Sequence, residues 1–188
     1  MMNYHDELND RADKLVSKWN KYSFTELPEW EDRYNGVLGL PDKRAAESPD
    51  SDSLCIIYSI YETRMCSYQG RIAVIRNASN PELIFISKNP TYISLQEPEF
   101  SKDGRFVFIK IYTNSFIGLL IVDVYNTRYT GIKFHSFDSW KTEYIENDRV
   151  RISDQSLTTD VTLEIHSLHW HEIEDAVVDY VPAFELYW

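Results

Sequence analysis

Residues 103–125 restrict the fold more than any other stretch of the chain. Asp103-Gly104 leads into a strand from Arg105 to Tyr112, Thr113-Asn114-Ser115 turns it, and a second strand runs from Phe116 to Tyr125. β-Branched and aromatic residues on both sides of a short polar turn mark a β-hairpin. Side chains alternate across a strand, so Val107, Ile109 and Ile111 fall on one face and Phe106, Phe108 and Tyr112 on the other. The second strand sets Leu120, Val122 and Val124 against Ile117, Leu119 and Ile121. A hairpin apolar on both faces is central, with something packed above it and below it.

The remaining segments supply candidates for those covers. Leu8, Ala12, Leu15, Trp19 and Tyr22 recur at helical spacing, which predicts a helix over residues 6–22. Its acidic start (Asp6, Glu7) and basic end (Lys18, Lys21) complement the helix dipole. Residues 41–53, with Pro41, Pro49, Asp50 and Asp52, read as a polar surface connection. From 54 to 165 the chain offers about nine short strands separated by turn residues, the pattern of an antiparallel meander. No sequence repeat stands out. Ile173, Ala176, Val177, Tyr180 and Val181 fit one face of a short helix over 172–181, ended by Pro182. The expected fold is thus α+β, mainly β: one domain over 1–188, an antiparallel meander sheet with an N-terminal helix and a short C-terminal helix.

Composition then narrows the partners. The 188 residues carry 19 Lys+Arg against 30 Asp+Glu, a formal charge of −11. Such a surface repels phosphate backbones and anionic lipid and attracts basic proteins, so neither nucleic acid nor membrane is an expected partner. The longest apolar run, Phe116 to Val122, is strand-sized and far short of a membrane span. Residues 1–7 lack a basic stretch followed by an apolar one, so no secretory signal is expected and a cytoplasmic home is. Cys55 and Cys66 make no disulfide framework and read as buried, reduced thiols.

One local resemblance is visible. Phe100-Ser101-Lys102-Asp103-Gly104-Arg105, followed by Ile121-Val122-Asp123-Val124-Tyr125-Asn126-Thr127, resembles a single β-propeller blade of the WD40 or TolB-like kind. In such blades a Ser-x-Asp-Gly turn precedes a strand, because Gly tolerates the turn and Ser or Asp caps it. A closed ring needs at least four blades of about 40 residues each. The resemblance therefore implies a blade-like sheet without a central channel.

Motifs for catalysis are missing. There is no Gly-x-Ser-x-Gly elbow and no Gly-rich phosphate cradle; Gly36-Val37-Leu38-Gly39 lacks the Lys-Ser/Thr that would follow. Carboxylate pairs such as Glu97 with Glu99, or Glu172 with Glu174, arise by chance in so acidic a chain. His166, His169 and His171, followed by Glu172, Glu174 and Asp175, are the candidate metal ligands, though their spacing matches no established motif. In extended backbone His169 and His171 would share a face. What remains is aromatic residues set among acids: Trp30 with Glu29, Glu31 and Asp32, and Glu143, Glu146 and Asp148 around Trp140 and Tyr144. Aromatic anchors supply contact energy and carboxylates select a basic partner.

In size, acidity, aromatic content and lack of catalytic motif the chain resembles bacterial immunity proteins, including those of contact-dependent growth inhibition. That resemblance implies a cytoplasmic, cofactor-free, non-catalytic protein that neutralises a cognate basic toxin, often a nuclease, by occluding its active site. It rests on overall character and assigns no residue. A metal-dependent enzyme built on His166, His169 and His171, and a scaffold module built on the sheet, are the alternatives.

Overall fold

A computed structural model describes residues 7–8, 10–12, 14–15, 40–62, 67–77, 79–89, 91–93, 97–112, 116–134, 140–145, 148–154 and 159–186. Two four-stranded antiparallel meanders form its centre. The first comprises β1 (Leu40–Glu47), β2 (Leu54–Glu62), β3 (Ser67–Arg76) and β4 (Glu82–Ser87). The second comprises β6 (Glu99–Phe100), β7 (Phe106–Tyr112), β8 (Ile117–Asp123) and β9 (Arg128–Phe134). Short β5 (Thr91–Ile93) joins them into one sheet, pairing with β3 at residues 68–70 and with β7 through Ile93 and Ile111.

The two meanders share a core and bury different residues on their backs. Between them lie Cys55, Ile57, Ile72, Val74 and Phe85 from the first and Val107, Ile109, Ile111, Leu120 and Val122 from the second. Behind the first meander, Leu54, Ile56, Ala73 and Ile75 meet Leu8, Ala12 and Leu15 of the N-terminal helix. Behind the second, Phe106, Phe108, Leu119 and Ile121 meet Val150, Ile152, Leu163 and Ile165. The last four belong to, or directly follow, a separate sheet of β10 (Trp140–Ile145), β11 (Arg149–Asp154) and β12 (Thr159–Glu164). β2, β3, β7 and β8 thus each feed two cores through alternate residues, and the hairpin's faces divide as its sequence requires. The mainly-β, antiparallel class stands.

Two expected boundaries are corrected. Residues 41–47 are a strand and no surface connection: β1 pairs with β2 along its whole length, Ala45 is buried, and only Ser48–Ser53 is a turn, exposed at 49–52. The polar Asp42-Lys43-Arg44 of β1 conceals a strand at one end of the sheet, where charged side chains are usual. Nor is 172–181 a helix. The segment holds two-residue strands joined by a bend and runs into a 3-10 turn at Val181–Ala183, with β13 (His171–Glu172) antiparallel on β9, β14 (Val177–Val178) parallel to β4, and β15 (Phe184–Leu186) parallel to β9. The amides of Ile86 and Lys88 donate to the carbonyls of Ala176 and Val178, and that of Ile173 to Thr127. These bonds override a spacing that suits a helix and a strand alike. Val177 accordingly packs with the helix-side cluster while Val178, Tyr180, Ala183 and Phe184 enter the central core. The expectation of about nine strands over 54–165 also falls short of the eleven described there, β2 to β12. Of the predicted N-terminal helix, Glu7, Leu8, Asp10, Arg11, Ala12, Lys14 and Leu15 are helical.

Candidate functional site

Both meanders begin with the same turn. In Ser48–Ser53 the Ser48 hydroxyl donates to Asp50 Oδ1 (2.6 Å) and accepts from the Ser53 amide (2.8 Å), while the Asp52 amide donates to Asp50 Oδ1 (3.1 Å). In Ser101–Phe106 the Ser101 hydroxyl donates to Asp103 Oδ1 (2.5 Å) and accepts from the Phe106 amide (2.9 Å), while the Arg105 amide donates to Asp103 Oδ1 (3.1 Å). The backbone bonds match as well: Ser51 to Ser48 and Ser48 to Ser53 in one, Gly104 to Ser101 and Ser101 to Phe106 in the other. Ser51 and Gly104 take the equivalent position with φ of 60° and 73°, left-handed values that glycine adopts freely and serine with strain. The blade-like turn thus occurs twice, a repeat hidden because only Ser and Asp are common to both copies.

The two turns meet. A β-carbon at Gly104 would lie 3.4 Å from Asp50 Oδ1, so the second turn sits against the carboxylate of the first. Asp50, Asp52 and Asp103 are exposed there, and Tyr125 from the β8–β9 turn stands among them, 50% exposed, its hydroxyl donating to the Asp103 carbonyl at 3.1 Å. Desolvation, then the charges of Asp50, Asp103 and Asp52, push the Tyr125 phenol above its usual range, which keeps it neutral. The hydroxyl of Ser48 and the Asp52 amide hold the Asp50 carboxyl below its ordinary value, so it stays ionised. The tip therefore gathers three carboxylates around an aromatic ring, with Lys102 exposed in the second turn and Arg11 donating to the Ser51 carbonyl (3.3 Å) at the edge of the first.

An ionic lattice beneath fixes that ring. Asp123 is fully buried, and its carboxylate accepts from Arg105 (3.0 and 3.3 Å), Arg128 (3.1 Å), and the Asn126 side chain (2.8 Å) and amide (3.2 Å). Burial alone would raise its pKa, but the bonds from Arg105 and Asn126 outweigh burial and hold it below the usual carboxylate range. From the first meander, Arg76 donates to the carbonyls of Val124 (3.1 Å) and Tyr125 (3.4 Å) and pairs with Glu82 at 2.8 Å. Arg76 thereby ties the turn that carries Tyr125 to the meander that carries Asp50 and Asp52.

Of the residues expected to bind a partner, Asp148 is the one whose side chain the structure describes. Glu29, Trp30, Glu31, Asp32 and Glu146 lie outside the described residues, as does the side chain of Glu143, whose backbone is in β10. Asp148 is half-buried, with its carboxylate 3.6 Å from Arg105, and belongs to the lattice. His169 and His171 do share a side, with ring centroids 4.8 Å apart, whereas His166 is exposed in a short 3-10 turn beside Glu164. Among the described residues no group of three or more His, Cys, Asp or Glu side chains is placed to hold a metal ion. No helix is long and apolar enough to cross a membrane among them. Cys55 is buried at the central core and desolvation pushes its thiol well above the usual range; Cys66 lies outside the described residues.

No known family model, curated protein or solved structure matches the chain. Sequence reasoning misses the acidic tip because Asp50 and Asp52 lie in a stretch that reads as a surface connection. The usable sign was the second Ser-x-Asp turn, at Ser48-Pro49-Asp50.

Proposed function

We propose that this is a cytoplasmic, non-catalytic binding protein that occludes a basic partner in the manner of bacterial immunity proteins, with the acidic tip as its docking site. One observation carries the reading: Tyr125 stands half-exposed among Asp50, Asp52 and Asp103 on the turns of two packed meanders. Large aromatics at the centre of an interface supply contact energy, and the surrounding carboxylates raise the rate of encounter with a cationic surface and reject acidic ones. Because the turns are fixed by their own hydrogen bonds and by Arg76, little ordering entropy is lost on docking. The carboxylates would occupy positions on the partner that suit phosphates, which is why a nuclease is the partner class that fits best.

The reading predicts a toxin domain encoded immediately upstream of the gene, and the test is a titration of the purified protein against that domain. Charge reversal at Asp50→Lys, Asp52→Lys and Asp103→Lys together should weaken binding by at least a hundredfold and flatten its salt dependence; Tyr125→Ala should weaken it about tenfold or more. A parallel set, Glu29→Lys, Glu31→Lys and Asp32→Lys, places the interface if the tip variants bind normally. A housekeeping operon around the gene, or affinity indifferent to both sets, refutes the reading.

A further inference from the structure

We propose that His169 and His171 form a binding site for an imidazole-seeking divalent metal such as zinc or nickel, independently of the docking tip. Strand geometry brings them together: the segment around β13 is extended, so residues two apart share a side, and the backbone of His171 is fixed by its pairing with Tyr129. The His171 ring lies 5.4 Å from the Tyr129 ring, which limits its rotation. Two imidazoles on one tetrahedral zinc, at Zn–N distances of about 2.0–2.1 Å, put their ring centroids about 5 Å apart. The observed separation is 4.8 Å, a spacing at which two rings can share one ion once their side chains turn to bring both Nε2 atoms onto it.

Two further observations point to a ligand. His171 Nε2 is buried and finds no hydrogen-bond partner among the described residues, an uncompensated polar atom that a metal would satisfy. His169 Nδ1 is 2.9 Å from Glu185 Oε1 of β15. A carboxylate on one ring nitrogen fixes the tautomer and the ring orientation, which leaves the lone pair of the other nitrogen for a metal. Zinc held by His169 Nε2 and His171 Nε2, with water in the remaining positions, would also secure β13 and β15, which both dock on β9. His166, exposed near Glu164, takes no part.

The experiment is calorimetric titration of tag-free, chelator-treated protein with zinc chloride, nickel chloride and magnesium chloride. Zinc and nickel should each bind once per chain and raise Tm, and magnesium should do neither. His169→Gln and His171→Gln should each weaken zinc binding at least tenfold and abolish the Tm rise, with His166→Gln unchanged. His169 is largely exposed, so its variant keeps the test decisive if His171→Gln folds poorly. Absence of saturable zinc binding, equal binding of magnesium, or zinc affinity untouched by His169→Gln would overturn the site.

Discussion

Replacing Phe184 by alanine should destabilise the protein by about 3–5 kcal/mol, the usual cost of truncating a buried phenylalanine. The ring is 5% exposed and sits beside Phe116 (centroids 4.9 Å apart) and Tyr180 (6.1 Å). It rests on two glycines of adjacent strands: a β-carbon at Gly131 would come within 2.5 Å of its Cδ2, and one at Gly118 within 2.5 Å of its Cε1. No real β-carbon fits that closely, so Gly131→Ala alone should cost about 1–3 kcal/mol through overpacking. In a Phe184→Ala background the obstacle is gone, since all three of the nearest atoms to the Gly131 β-carbon belong to Phe184. There alanine should be neutral or stabilising by up to about 1 kcal/mol, because it loses less entropy than glycine in a strand. The cycle thus predicts a coupling of about 2 kcal/mol with a change of sign. Gly118→Ala is the control: its β-carbon would also lie 2.5 Å from the Ile132 carbonyl oxygen, so it should destabilise both backgrounds. Midpoints of urea unfolding at constant m-value measure all of these. Additivity of Phe184→Ala and Gly131→Ala within about 0.5 kcal/mol would show that the ring does not lie where the argument needs it.

Other outcomes follow from the lattice, the turns and the thiol. Asp123→Asn should cost about 3 kcal/mol at pH 7, the lower end for breaking a buried ion pair, because the amide keeps one acceptor for the arginines. The folded Asp123 carboxyl sits below its unfolded value of about 3.9, so its stabilisation is complete above that value and is lost as pH falls through the folded one. The acid limb of a stability–pH curve should therefore be shallower in Asp123→Asn, and an unchanged limb would contradict the assignment. Ser48→Ala and Ser101→Ala should each cost about 1–3 kcal/mol in chemical denaturation, since each strands the amide of Ser53 or Phe106. A large cost at one turn with none at the other would break their equivalence. Cys55 should resist iodoacetamide in the native protein and react on unfolding, as read by peptide mass spectrometry; rapid native labelling would contradict its burial and raised pKa.

The sequence was most informative where one strand faces two cores. Alternation in 106–112 and 117–124 assigned the apolar residues of that hairpin to their observed clusters, Tyr112 at the strand end excepted, because a period of two leaves no other arrangement once both faces are apolar. It failed where tertiary partners decide. β1 carries Asp42, Lys43 and Arg44, and only its pairing with β2 reveals it as a strand. Ile173, Val177 and Tyr180 fit a helix by spacing, yet β4 and β9 draw the segment into extended pairing. The tip was illegible for a related reason: Asp50 and Asp103 belong to turns far apart in the chain, and nothing local says that they touch. His169 and His171 are the opposite case, since adjacency in an extended segment followed from their spacing alone.

Parallel docking of β14 and β15 has a consequence for the order of folding. Val178, Tyr180, Ala183 and Phe184 complete the central core, yet β14 and β15 reach β4 and β9 only across long stretches of intervening chain. Until those distant pairings form, the apolar inner surfaces of both meanders have no finished closure, and partly built intermediates of this kind are prone to associate. A chaperone that shields that surface during refolding should raise the yield of folded protein.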